Sequence, residues 1–308
     1  MVRVLFLGGL GRSGTTLLER LLGELPGVCP LGEVVHLWER DIAGDERCAC
    51  GDHFSDCGFW QAVGEKAFGG WQHVDVWRVL ALRHAVERTR HIPRLASLRM
   101  SPAHRLLVEE YADWYARLYE AAAIVSGADV LVDSSKHAAL AYCLRFAPSI
   151  DLRVVHMVRD SRGVAYSWTK KVSRPETDNA EEMTRYSPGR SALLWNAHNV
   201  AFSALHRCGV PVQRVRYEEL LDKPEETLRE LSRFIDIKPG GLPFLQDGVA
   251  TLGACHSAAG NPMRFTVGPV PLRRDDAWRT ALPHRQRRVV SALTAPLLGA
   301  YGYRGEVR

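Results

Sequence analysis

The strongest constraint on the fold lies at the amino terminus, where a glycine-rich loop joins an apolar run to a leucine-striped segment. Residues 2–7 are mostly apolar, and the loop after them reads Gly8-Gly9-Leu10-Gly11-Arg12-Ser13-Gly14-Thr15-Thr16. Leucines then repeat at helical spacing over residues 17–25. Glycines let the backbone turn its N–H groups onto an anion, and a helix N-terminus adds partial positive charge. The pattern predicts a buried strand, a phosphate-binding loop and a helix; the alternative is a tight turn without a ligand.

Three further runs, rich in β-branched residues, are typical of buried strands: 130–133, 152–158 and 212–217. Each is followed by a helical pattern, at 138–146, 162–170 and 225–235. Further helices are predicted at 105–125, 192–206 and 284–298. Repeated strand–helix units imply a parallel sheet with helices on both faces. We therefore predict an α/β fold of three layers, a P-loop-like parallel sheet flanked by helices, with loop and helical insertions.

Two long stretches lack clear periodicity. Residues 41–75 hold three of the cysteines and several glycines, and residues 172–190 are polar. Long irregular insertions are usually lids or binding loops. Residues 240–283 are also rich in glycine and proline. We predict one domain over residues 1–308, with a cysteine-containing insertion near 41–75 and a lid-like segment near 172–190.

Composition and charge limit the class of protein. Forty Lys and Arg against 35 Asp and Glu give a net charge of +5, and 46% of the residues are hydrophobic. This composition excludes a disordered chain, and no apolar run approaches the ~20 residues of a membrane span. The apolar start lacks the basic region and cleavage site of a signal peptide. We expect a cytoplasmic protein with a basic cleft for an anionic ligand, no nucleic-acid partner and no membrane span.

The loop departs from the phosphate loop of nucleoside triphosphatases. That pattern is G-x4-G-K-[ST], in which the Lys contacts the β- and γ-phosphates. Gly9 and Gly14 have the required spacing, but Thr15 stands in the position of the Lys and the cation, Arg12, comes earlier. We infer a ligand without a γ-phosphate and a loop without a clear Mg²⁺ role.

Two motifs resemble those of sulfotransferases that use 3′-phosphoadenosine 5′-phosphosulfate (PAPS). The run Arg12-Ser13-Gly14-Thr15-Thr16 matches the family's 5′-phosphosulfate loop residue for residue. Arg159 follows the third predicted strand, and Ser167 stands eight residues later, as in the family's 3′-phosphate motif. An Arg at the carboxyl end of a strand is well placed to clamp a phosphate. The alternative for Arg159 is a surface ion pair.

The tyrosylprotein branch of that family implies a catalytic pair. Glu33 stands 21 residues beyond Arg12, the separation found in that branch, where the Glu is the base. Lys136 follows the second strand and corresponds, more loosely, to a Lys that stabilises the bridging oxygen; Arg12 would neutralise charge on the leaving group. The alternatives are a helix-capping Glu33 and a solvated Lys136. His36 and His137 are rival bases.

The resemblance to the family covers roughly residues 2–170 and 210–280. It adds two residues, Tyr217 and Arg264, to the predicted nucleotide site. Tyr217 begins Tyr-Glu-Glu-Leu, similar to a family motif near the adenosine, and otherwise packs in the core. Arg264 lies in a basic, glycine-containing stretch similar to the loop that covers the 3′-phosphate in the family.

The chain contains seven cysteines, an odd and scattered set that argues against a disulfide framework. Cys48, Cys50 and Cys57 form one local cluster, with His53 between them. Three thiols and a His are possible zinc ligands, but the spacing C-x-C-x6-C lacks the usual C-x2–4-C pair. We predict no metal among the site residues. For the three cysteines, plain packing thiols, a Cys50–Cys57 disulfide or redox pair, and a bound metal all stay open, with metal the least favoured.

We predict an enzyme that transfers a sulfuryl group from PAPS to a hydroxyl by in-line displacement, without a metal, and releases 3′-phosphoadenosine 5′-phosphate (PAP). The tyrosylprotein branch is Golgi-anchored, whereas this sequence shows no signal peptide or membrane span. We therefore expect a small-molecule, glycan or lipid acceptor instead of peptide tyrosine. A kinase or NTPase with a degenerate loop is the alternative, with Asp133 as its one candidate Mg²⁺ ligand. A catalytically dead nucleotide-binding protein is the third hypothesis, against which the retention of Glu33 and Lys136 argues.

Overall fold

The computed structural model describes residues 1–97, 99–176, 182–238 and 240–303. Its central sheet has five parallel strands in the spatial order β2-β3-β1-β4-β5. These strands are β1 (Val2–Gly8), β2 (Val28–Gly32), β3 (Val130–Lys136), β4 (Ile150–Val158) and β5 (Val212–Arg216). The predicted α/β class is therefore confirmed.

Twelve helices occur in the described ranges, and they are α1 (Thr15–Gly23), α2 (Gly58–Phe68), α3 (Val76–Val86), α4 (Ile92–Ala96), α5 (Pro102–Ser126), α6 (Ala138–Leu144), α7 (Ser161–Thr169), α8 (Pro188–Leu205), α9 (Tyr217–Asp222), α10 (Pro224–Phe234), α11 (Trp278–Ala281) and α12 (His284–Ala300). Shorter helical turns cover Val34–His36 and Leu37–Ile42. A small antiparallel sheet contains β6 (Leu245–Gln246), β7 (Val249–Leu252) and β8 (Gly268–Pro271).

The alternation of side chains along β1 divides the core into two layers. Val4 and Phe6 pack in one hydrophobic cluster, with α5, α6 and α8. Leu5 and Leu7 pack in the other, with α1 and α10. Because successive strand residues point to opposite faces, one apolar strand supplies both layers. The carboxyl ends of all five strands are left together at one edge of the sheet, where open α/β folds bind ligands.

One strand of the sheet was missing from the sequence prediction. β2 is five residues long, contains Pro30 and lies at the edge of the sheet. Pro has no backbone N–H to donate, so it is tolerated in an edge strand and weakens the sequence signal there. The last predicted strand, residues 212–217, corresponds to β5 and was one residue too long, because Tyr217 begins α9 instead of ending the strand.

The stretches predicted to be irregular contain more structure than expected. Residues 41–75 include α2, which begins at Gly58 and has an internal glycine, Gly64, that weakens its helical pattern. The small antiparallel sheet and α11 lie within residues 240–283. The predicted lid-like segment near 172–190 falls partly outside the described residues, which omit 177–181.

The single-domain boundaries stay a prediction. No helix in the described part of the chain has the length and apolar content needed to cross a membrane.

Candidate active site

Every strand of the parallel sheet delivers one candidate residue near its carboxyl end. The residue is close to the strand end in sequence, so the topology of the sheet fixes its position. These residues are Arg12 after β1, Glu33 after β2, Lys136 at the end of β3, Arg159 after β4 and Tyr217 after β5. They surround one cleft of about 250 Å³, whose wall also includes Gly14, Thr15, Thr16, Ser167, Trp168, Met183, Asn261 and Met263.

The glycine-rich loop has the geometry of an anion site. Gly14 precedes α1 with φ +93°, a left-handed conformation that favours glycine. Ser13 is buried in the loop, and the buried Thr15 Oγ1 has no hydrogen-bond partner among the described residues. An unpaired buried hydroxyl is costly, and the oxygen of a bound anion would satisfy it. The loop therefore fits a phosphate or phosphosulfate group at the N-terminus of α1.

Arg12 lines the cleft and contacts two side chains, Trp168 near the end of α7 and Met183 beyond it. Its guanidinium sits 5.4 Å from the centroid of the Trp168 ring, and its Nη2 is 3.2 Å from the Sδ of Met183. The Tyr186 ring packs against Trp168, with the two ring centroids 4.4 Å apart. Burial lowers the pKa of Arg12, and the nearby Glu33 carboxylate opposes that shift. The described end of the segment near 172–190 thus covers the loop.

Arg159 points into the same cleft from the end of β4. Its guanidinium stacks 4.4 Å from the ring centroid of Tyr217, and its Nη1 donates to the carbonyl of Arg12 at 3.2 Å. Its Nη2 donates to the carbonyl of Asp275 at 3.1 Å. Ser167, two turns into α7, lines the cleft beside it. These contacts fix the plane of a guanidinium that fits bidentate phosphate binding.

Glu33 and Lys136 contact each other directly. The Nζ of Lys136 donates to the Oε1 of Glu33, and the two side chains are 10% and 15% exposed. Lys136 has φ +66°, which is strained for a residue with a side chain. A strained backbone conformation persists only where surrounding contacts hold the residue in place, and such residues cluster at active sites. Both residues line the same cleft as the phosphate loop, so a carboxylate and an ammonium lie beside the candidate anion site.

A carboxy-terminal segment holds Glu33 in place. The N–H of Glu33 donates to the carbonyl of Ala258 at 3.0 Å, and the N–H of Ala258 donates to the carbonyl of Leu31 at 2.8 Å. Gly260 passes so close that a Cβ there would lie 2.6 Å from Glu33 Oε1, and Gly32 would clash with Ala258 in the same way. Both glycines have positive φ. Residues 258–260 therefore set the position of the candidate base.

A second cavity, of about 330 Å³, adjoins the first. Glu33, Lys136, Trp168 and Met183 line both cavities. Other polar side chains of the second cavity are His36, Arg40, His137, Arg174, Glu182 and His198. The arrangement separates a phosphate side from a polar, partly cationic side, with Glu33 and Lys136 on the boundary.

The rival bases line the second cavity. His36 Nε2 is 3.8 Å from Glu33 Oε2, and burial lowers the pKa of His36 well below its usual range, so the ring is neutral near pH 7. The Nδ1 of His137 lies 2.6 Å from Glu87 Oε1. His198, which the sequence analysis did not single out, is half-buried, and the loss of hydration lowers its pKa to about 4. Of these bases, Glu33 alone also borders the phosphate cleft.

The structure separates Arg264 from the nucleotide cleft, and this corrects the sequence assignment. Its side chain is buried, with Nη1 donating to the carbonyl of Ser257 at 2.8 Å and Nη2 to that of Arg47 at 2.7 Å. Asn261 and Met263 of the same segment face the cleft instead. The stretch therefore borders the cleft, but its Arg turns inward and bonds to backbone carbonyls.

Asp133, the one candidate Mg²⁺ ligand of the kinase hypothesis, does not face the cleft. It is fully buried, its Oδ2 accepts from the Tyr119 hydroxyl at 2.5 Å, and its Oδ1 accepts from the N–H of Ser135 at 2.7 Å. Burial raises its pKa to about 6. A carboxylate held in this way cannot reach a nucleotide-bound cation at the loop.

Comparison with known proteins agrees with this geometry. A profile described as "Sulfotransferase family" matches residues 5–239. Carbohydrate sulfotransferase 5 of Mus musculus is 30% identical over 177 residues, which cover 53% of this chain and 44% of that protein. Carbohydrate sulfotransferase 3 of Homo sapiens is 25% identical over 170 residues, which cover 51% of this chain and 34% of that protein. The chain spans less than half the length of these curated relatives.

A solved structure has the same fold. The sulfotransferase domain from the curacin biosynthetic pathway aligns with a TM-score of 0.52 and 16% identity, covering 96% of this chain and 98% of that one. The predicted fold family is therefore confirmed over nearly the whole chain.

Proposed function

The chain belongs to the sulfotransferase family, and from this premise we propose that it transfers a sulfuryl group from PAPS to a hydroxyl of a glycan. The observation that carries the proposal is the position of Glu33 and Lys136 between the phosphate loop and the polar second cavity. A base and a cation at the junction of donor and acceptor cavities suit group transfer between two bound substrates.

The donor side would hold both anionic ends of PAPS. The amides of the loop, the Arg12 guanidinium and the unpaired Thr15 hydroxyl fit the 5′-phosphosulfate. Arg159 and Ser167 fit the 3′-phosphate, and Tyr217, whose ring already stacks on Arg159, would flank the nucleoside. PAPS supplies an activated sulfuryl group with the 5′-phosphate as its leaving group.

The catalytic roles follow from charge and position. Glu33 takes the proton of the acceptor hydroxyl as its oxygen attacks sulfur. The new bond joins the acceptor oxygen to sulfur, the bond between sulfur and the 5′-phosphate oxygen breaks, and PAP leaves with the electron pair. Lys136 and Arg12 stabilise the charge that develops on the bridging oxygen. The contact between Glu33 and Lys136 must open when both substrates enter, which frees the carboxylate for the hydroxyl.

The second cavity supports a polar acceptor. Its wall combines imidazoles with the basic side chains of Arg40 and Arg174, and Arg174 is itself paired with Glu46 at 2.6 Å. Such a surface can bind the hydroxyls and acidic groups of sugars by charge-assisted hydrogen bonds. The two curated relatives are carbohydrate sulfotransferases, which favours a glycan over the small-molecule and lipid acceptors. Cytoplasmic localisation stays a prediction.

A transfer assay tests the proposed function. The chain is incubated with PAPS carrying labelled sulfate and a panel of neutral and acidic oligosaccharides, in buffer without added metal ions. We expect label in at least one sugar product together with an equal amount of PAP, since no metal is needed. Transfer of phosphate from ATP that requires Mg²⁺, with none from PAPS, would contradict the proposal and favour the kinase hypothesis.

A further inference from the structure

Three thiols and one imidazole converge on a single point at the base of the insertion near 41–75. The ligand atoms of Cys48, Cys50, Cys57 and His256 all lie within 4.8 Å of one another. The sequence analysis associated His53 with these thiols, but the Nδ1 of His53 instead contacts the carbonyl of Asp45 at 2.9 Å.

The separations fit a tetrahedral metal site. Bonds of about 2.3 Å to sulfur and about 2.0–2.1 Å to nitrogen place tetrahedral ligand atoms about 3.5–3.8 Å apart. The Sγ of Cys57 lies 3.6 Å from that of Cys48 and 3.8 Å from that of Cys50. The Nδ1 of His256 lies 3.3 Å from Cys57 Sγ and 4.0 Å from Cys48 Sγ. These four edges agree with the expected values to within about 0.5 Å.

Neighbouring aromatic side chains hold the His256 ring. Phe59 stacks on it, with ring centroids 5.2 Å apart and planes 18° apart. The Nε1 of Trp60 donates to the backbone carbonyl of His256 at 2.8 Å. A ring fixed in this way keeps its Nδ1 directed at the thiols, as the supporting residues of metal sites do.

We propose that Cys48, Cys50, Cys57 and His256 bind one zinc ion as a closed structural site. Three sulfur ligands and one imidazole in tetrahedral arrangement select zinc over the oxygen-preferring Mg²⁺ and Ca²⁺. Four protein ligands leave no open position for a water, so this zinc takes no part in the chemistry. The proposal replaces the sequence-based expectation of no metal, which depended on ligands close together in the sequence.

The zinc site fastens two distant parts of the chain behind the active site. The N–H of Ala49 donates to the carbonyl of Ser257 at 3.2 Å, so the cysteine loop and the segment after His256 are already paired. That segment continues through Ala258, which hydrogen-bonds to Glu33 and Leu31, and Gly260, which packs on the Glu33 carboxylate. The zinc would therefore fix the segment that positions Glu33.

Metal analysis of the purified full chain tests the proposal. The protein is expressed in zinc-containing medium, purified without a chelator and measured by inductively coupled plasma mass spectrometry. We expect one zinc ion per chain. Cys57→Ser should lower zinc affinity by tenfold or more, since replacing even a residue that only supports a metal ligand costs about 10–100-fold. Cys255→Ser, next to His256 but outside the four ligands, is the matched control and should keep its zinc.

A second measurement does not depend on the folding of a variant. Wild-type protein with cobalt in place of zinc should show the intense visible bands of tetrahedral cobalt and its thiolate charge-transfer absorption. Native alkylation should spare the three thiols until a chelator is added. Wild type without zinc or tetrahedral cobalt would overturn the proposal. Loss of a hydrogen pair from the intact mass would then identify a disulfide, and full alkylation without chelator would identify packing thiols.

Discussion

Replacing Glu33 by Gln is expected to lower kcat by about 10²–10⁴-fold, the usual contribution of a general base, while the Kd for PAP changes little. Glutamine keeps the shape of the side chain and can still contact Lys136, but it cannot accept the proton of the acceptor hydroxyl. In the proposed arrangement the loop and Arg159, and not Glu33, bind the nucleotide, so loss of the base should leave nucleotide affinity unchanged. Turnover is measured from PAP release, and affinity by calorimetric titration.

The control for this variant is Glu65→Gln. Glu65 is exposed on α2, so its replacement removes the same charge without touching the cleft. Turnover unchanged in Glu33→Gln would show that Glu33 is not the base. His137 is then the next residue to replace, since it borders the acceptor cavity and is oriented by Glu87.

Replacing Lys136 by Met is expected to slow the single-turnover rate of transfer by about 10²–10³-fold, the usual cost of losing one donor at a developing charge. Methionine has a stem of similar length, and both residues have a Cβ, so the strain at φ +66° is unchanged. The variant therefore removes the ammonium with little change in backbone energy. Quench-flow measurement of labelled product, with enzyme in excess over PAPS, isolates the chemical step.

The double variant, Glu33→Gln with Lys136→Met, separates direct from indirect roles. Because the two side chains contact each other, their effects on the rate should not add. Lys66→Met, exposed on α2, is the matched control. An unaltered single-turnover rate in Lys136→Met would show that Lys136 only pairs with Glu33 and does not stabilise the leaving group.

Local patterns predicted the parts of the site that depend on local structure. The glycine-rich loop and Arg159 follow long apolar strands, and both lie at the strand ends as expected. β2 was missed because it is short, lies at the sheet edge and contains Pro30. Glu33 was found only through its separation from Arg12, without the strand that carries it. The catalytic and binding roles of these residues stay predictions.

Contacts between distant residues were not predictable from spacing. His256 lies 199 residues from Cys57 in sequence, so no local pattern pairs it with the thiols. His198 lines the second cavity from α8, far from Glu33 in the sequence. Arg264 was misassigned because the resemblance identified its segment, whereas packing decides which side chains of a short turn face the cleft.

The central claim is that the cleft binds the nucleotide of PAPS without a metal. Calorimetric titration of the chain with PAP, ADP and ATP, each with and without Mg²⁺, tests it most directly. We expect PAP to bind most tightly, with the same Kd with and without Mg²⁺, and to lose its affinity in Arg159→Ala. Binding of ATP that requires Mg²⁺ and exceeds that of PAP would contradict the claim.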